Sequence, residues 1–136
     1  MHRLSCSVMF GLALAGLSAH SHHSIIGMYD RTQLTTVAGV IIEFHFVQPH
    51  AFLLLDADVG NTESQRWYIE MDNRRELAEL GVTRDTFQPG NEVTVIGDQA
   101  RDGKERLYLR QLDRSADGLR LGVDATGFHP SISTVP

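Results

Sequence analysis

Val37-Ala-Gly-Val-Ile-Ile-Glu-Phe-His-Phe-Val-Gln-Pro-His50 is the stretch whose reading decides the fold. Val37 to Val47 is a run of strand-prone residues, and Pro49, which lacks an N–H and holds Gln48 extended, stops it in a turn. Side chains alternate along a strand, so Val40, Ile42, Phe44 and Phe46 share one face while Ile41, Glu43 and His45 share the other. Four bulky apolar residues in register make the first face the expected inner one. The segment therefore reads as the first, strongly bent strand of a small closed barrel. Gly39 eases the bend, and the polar turn ending at His50 lies at a binding edge.

Downstream, Ala51 to Val59 predicts a second strand and Gln65 to Met71 a third, joined by the hairpin signal Gly60-Asn-Thr-Glu-Ser64. In the third strand Trp67, Ile69 and Met71 fall on one face, Tyr68 and Glu70 on the other. The period then changes. Asn73 to Leu80 reads as a short helix capped by Asp72 or Asn73 and ended by Gly81. Glu92 to Gly97 and Glu105 to Leu112 predict the fourth and fifth strands, separated by a polar loop with a turn at Asp102-Gly103. Three strands, a helix and two strands is the order of a five-stranded OB-like barrel, an all-β fold with one short helix. A sandwich of the same strands is the alternative. In such a barrel the first and fourth inter-strand loops, here Val47 to Ala51 and Asp98 to Lys104, flank the ligand face.

Met1 to Ala19 has the layout of a secretory signal peptide: Arg3, an apolar run to Leu17, then small residues. The run is too short to span a bilayer comfortably, and its removal takes away Cys6, the one cysteine. A periplasmic or secreted protein is the expectation, without a membrane span after processing. Cleavage after Ala19 makes His20 the first residue and His22 the third; cleavage after Ser21 makes His22 the terminus. Residues 20–33 then form an arm against the barrel, residues 34–112 the barrel itself, and residues 113–136 an irregular tail. The formal charge of −5 becomes more negative still when Arg3 is lost, which argues against a nucleic-acid partner.

His22-His23-Ser24, Met28-Tyr29-Asp30, Gly39 to Phe44, Gln48-Pro49-His50-Ala51-Phe52, Trp67-Tyr68-Ile69-Glu70, Pro89-Gly90-Asn91-Glu92-Val93 and Arg101-Asp102-Gly103 together resemble a family of small exported bacterial proteins of unknown function. The resemblance covers about His22 to Leu112. Members usually carry Asn where this chain has Gln48, and often Trp at the position of Phe46 or Phe52. The resemblance implies secretion and a shared site around the histidine of the turn, and it supplies no activity.

The chemistry falls to the histidines. The full chain has 7: His2 in the signal segment, His20, His22 and His23 after it, His45 and His50 at the end of the first strand, and His129 in the tail. Imidazole, carboxylate and a free terminal amine are the donors left in an oxidising compartment without thiols, and they suit copper before zinc. With His22 third, the amine, two amides and its imidazole close a square-planar set for Cu(II). With His22 first, the site needs His50 or His45 to finish it. The competing readings are local: His50 capping its turn through a backbone carbonyl, His45 pairing with Glu43, and His22-His23 as a polar terminus. Glu70 with Asp72, and Asp56 with Asp58, place carboxylates two apart where a hard cation could bind, although solvated edges are the simpler reading. Gln48, Pro49, Arg101 and Asp102 mark the two ligand loops. No nucleophile signature or phosphate-binding glycine pattern occurs, so catalysis is not indicated. Two expectations follow: a non-enzymatic copper-binding module, or an adaptor that docks an exported protein or a glycan on the barrel face.

Overall fold

The computed structural model describes residues 21–58, 64–123 and 130–134. In chain order they form α1 (Ser21–Met28), β1 (Tyr29–His45), β2 (Phe52–Asp58), β3 (Ser64–Glu70), α2 (Arg74–Glu79), β4 (Glu92–Ala100), β5 (Arg106–Arg114), β6 (Leu119–Val123) and β7 (Pro130–Thr134). The described residues are thus mostly β with two short helices. Among the described residues the strand pairings are antiparallel except a three-residue parallel one between β3 and β5, Tyr68 to Glu70 against Arg106 to Tyr108.

Ladders join β1 to β2, β2 to β3, β3 to β5, β5 to β4 and β4 back to β1, so the first five strands are linked in a cycle. β6 and β7 continue from the other edge of β5. The sequence reading gave five strands and an irregular tail. Strand pairing extends further: alternation in Leu119 to Val123 is enough to pair with Gln111 to Arg114, and Leu119 and Leu121 are buried against the core.

The first strand is longer than expected at its start. Tyr29 to Gln33 belongs to β1 rather than to an arm, because Tyr29 and Asp30 pair with Ala100 and Gln99 of a β4 that itself runs past Gly97. Three residues, Arg31 to Gln33, are then looped out before Leu34 pairs with Asp98. Residues 21–28, expected without regular structure, are helical.

The alternation expected along β1 holds only in part. Ile41, assigned above to the outer face, is fully buried, and Val40 and Ile42 are half-buried. A register shift explains the difference: Ile41 faces Leu55, Glu43 faces Leu54, and Ile42 is the extra residue between them. One inserted residue reverses the parity. Val37 and Ile41 point inward before the bulge, and Phe44 and Phe46 pack against the core after it. Gly39 lies where β1 pairs with both β2 and β4, and a Cβ there would stand 2.6 Å from the Asp56 carbonyl oxygen. Close strand approach, in addition to bending, requires that glycine.

The core gathers Ile41, Leu53, Leu55, Ile69, Met71, Val95, Leu107 and Leu112 with Leu77 from α2 and Phe87 from the following loop. α2 sits between β3 and β4 as anticipated. Asn73 caps it, its side chain accepting from the N–H groups of Arg75 and Glu76 at 3.0 Å, and Gly81 at φ 88° ends it.

Candidate functional site

The register fixes which side chains share the face turned away from the core. Along one row it sets Glu43 beside Leu54, Leu54 beside Tyr68, and Tyr68 beside Arg106; along the next, His45, Phe52, Glu70 and Tyr108. His45 stacks on Phe52 with ring centroids 4.3 Å apart, and Phe52 stacks on Tyr68 at 4.8 Å. These three rings make an aromatic strip across β1, β2 and β3. The strip leads to a shallow groove of about 580 Å³ whose walls include Met28, Leu54, Tyr68, Glu70, Lys104 and Arg106.

Two tyrosines close over the short β3–β5 seam. Tyr29, with no exposed surface, donates its hydroxyl to Glu70 Oε2 at 2.5 Å, packs on the Tyr108 ring at 5.6 Å, and carries the Arg106 guanidinium 5.9 Å above its own ring. Tyr108 in turn donates to Asp72 Oδ1. Burial, then the bonded carboxylate, pushes both phenols far above their ordinary value. Glu70 and Asp72, flagged above as a possible cation pair, are therefore each engaged by a tyrosine hydroxyl.

His50 stands just beyond the Glu70 end of that seam. Its Nδ1 lies 3.1 Å from the Met71 carbonyl oxygen. A carbonyl only accepts, so Nδ1 carries the proton, and neutral imidazole then presents Nε2 as its lone-pair nitrogen. The local reading of His50, a bond to backbone carbonyl, is realised. The same bond is the usual support for a metal-binding imidazole. Gln48 and Pro49, joined by a cis peptide bond, are exposed in the turn before it.

The remaining candidates are spread out. His45 keeps its Nε2 2.6 Å from Glu43 Oε2, the local pairing weighed above, and faces the aromatic strip. Arg101 and Asp102 hold their own surroundings together. The Arg101 N–H donates to the Met28 carbonyl at 2.9 Å and its guanidinium meets Asp30 at 3.5 Å. Asp102 accepts from the Lys104 N–H, which lowers its carboxyl below the usual range, and lies 3.3 Å from Arg106. This loop thereby secures the junction of α1 and β1. His22 and His23 lie in the α1 backbone, their side chains outside the described residues; His20 and His129 lie wholly outside them. Among the described residues, no three of His, Cys, Asp and Glu group to hold a metal ion. None of the described helices is long and apolar enough to cross a membrane.

Sequence reading missed Tyr29, Tyr108 and Arg106. Tyr29 carried a signal, since Met28-Tyr29-Asp30 belongs to the shared pattern, yet no helical or strand period marks it as a partner for Glu70.

The fold and this face define a small, mostly β chain that carries an aromatic strip and one histidine-bearing turn on its outer surface. The chain belongs to the family of unknown function DUF6152, whose model matches residues 11–108. No curated protein matches it. Among solved structures it is similar to the mitochondrial single-stranded DNA binding protein Rim1 of S. cerevisiae, at 15% identity and a TM-score of 0.48, over 61% of this chain and 93% of that one.

Proposed function

We propose that this protein is an exported, non-enzymatic module that binds Cu(II) as a carrier or buffer, with His22 or His23 of a processed N-terminal arm meeting His50. The scaffold in this reading is a closed OB-like barrel, which the cycle of pairings through β1, β2, β3, β5 and β4 supports. One observation carries the proposal. The arm's root and the turn histidine converge on adjacent residues, because Tyr29 binds Glu70 while His50 binds Met71 and keeps Nε2 for an ion. From Tyr29 back to His22 is roughly 10 Å along a helix, so His22 lies a short chain length from the residue that binds Glu70. Imidazole, terminal amine and carboxylate favour Cu(II) over harder cations.

Calorimetric titration of Cu(II) into protein with a mass-verified processed terminus tests the reading. About one ion per chain is expected, with His22→Ala and His50→Ala each weakening uptake and His129→Ala leaving it unchanged. Unchanged affinity in His22→Ala removes the arm from the site.

A second reading is favoured by the groove. Its mix of Tyr68, Leu54 and Met28 with Glu70, Lys104 and Arg106 suits an adaptor that docks an exported protein or a glycan, the histidines being structural. Copper-independent retention of such a partner, abolished by Tyr68→Ala, would favour it.

A further inference from the structure

We propose that Asp72 is a second donor from the folded part of the chain to the ion held by His50, an inference that rests on the copper reading above. His50, just before β2, and Asp72, just after β3, flank the buried residues Ala51 and Met71, and each keeps part of its surface exposed. Backbone bonds hold the two segments together there: the Met71 N–H donates to the Ala51 carbonyl at 2.8 Å and the Ala51 N–H to the Asp72 carbonyl at 3.2 Å. Both side chains are half-buried, which gives a fixed edge rather than a solvated one.

Each donor already has the support a ligand needs. The Met71 carbonyl holds the imidazole in the tautomer that offers Nε2, and the Tyr108 hydroxyl holds Oδ1 of Asp72, leaving Oδ2 as the oxygen for a cation. One nitrogen and one oxygen make half of a four-donor plane. The terminal amine and imidazole of His22, in a chain cleaved after Ser21, supply the other half.

Cu(II) is the probe, followed by competition titration and electron paramagnetic resonance on the processed full chain. Asp72→Asn should weaken Cu(II) binding about 10-fold or more and alter the parallel g value and hyperfine splitting. Asp72→Glu, which keeps the carboxylate should the amide disturb folding, should retain binding with a changed spectrum. Tyr108→Phe should keep one ion per chain while weakening it less than Asp72→Asn. A folded Asp72→Asn protein with wild-type affinity and spectrum overturns the role of Asp72 and leaves the copper reading standing. Wild-type protein that takes up no Cu(II) overturns both.

Discussion

Tyr29 and Glu70, 41 residues apart in sequence, are joined by a phenol-to-carboxylate hydrogen bond of 2.5 Å. The bond ties the first residue of β1 to the last residue of β3, across a seam that the backbone closes with only the register pairs Tyr68–Arg106, Ile69–Leu107 and Glu70–Tyr108. Tyr29→Phe keeps the ring and removes the bond. It should cost about 1.5–3 kcal/mol, the range for a hydrogen bond to a charged acceptor, read as a lower urea midpoint at unchanged slope. Tyr68→Phe, whose ring stays on the aromatic strip, is the control and should cost less.

Stability should fall on the alkaline side. Tyr29 and Tyr108 keep their protons in the folded chain well above the ordinary phenol value of 10.0, whereas in the unfolded chain they ionise near it. Below that pH both states carry the protons and the stabilisation is fully present. Above it the unfolded state binds fewer protons, so unfolding free energy declines as pH rises, by up to about 2.7 kcal/mol per pH unit for two groups. Urea unfolding from about pH 8 to about pH 11 measures the slope, and Tyr108→Phe should roughly halve it.

The bulge in β1 separates two neighbouring isoleucines by role. Ile41→Ala empties a fully buried site and should cost about 2–5 kcal/mol, whereas Ile42→Ala, at the half-buried extra position, should cost clearly less. Denaturant midpoints of the two variants decide it; equal losses would contradict the register shift.

Asp98 is 1% exposed and takes the Arg110 guanidinium on Oδ2 at 2.6 and 2.9 Å. Arg110→Ala leaves a buried carboxylate without its cation and should cost about 3–5 kcal/mol. Asp98→Ala combined with Arg110→Ala should recover part of that loss, which thermal melts of the three variants would register.

Local chemistry made much of this fold legible. Asn73 announced its cap, Gly81 its helix end, and the alternation of Trp67, Ile69 and Met71 against Tyr68 and Glu70 gave β3 its faces. The parity change at Ile42 was not legible, because a bulge is a relation to a partner strand and leaves no mark in a run of β-branched residues. The candidate site divides the same way. His50 was visible from its turn, but its tautomer depends on Met71, and the pairing of Tyr29 with Glu70 and of Tyr108 with Asp72 arises only when the β3–β5 seam brings distant residues together. β6 and β7 were missed because these five-residue segments acquire strand geometry from their neighbours, β6 from β5 and β7 from β6.

The outermost fastening of the strand cycle thus comes from the first residue after α1. Proteolytic trimming that stops before Tyr29 would shorten a leader, whereas a cut just beyond it would remove the clasp from Glu70 and uncover the thinnest join in the molecule. Trimming at this terminus and the integrity of the strand cycle are for that reason a single problem.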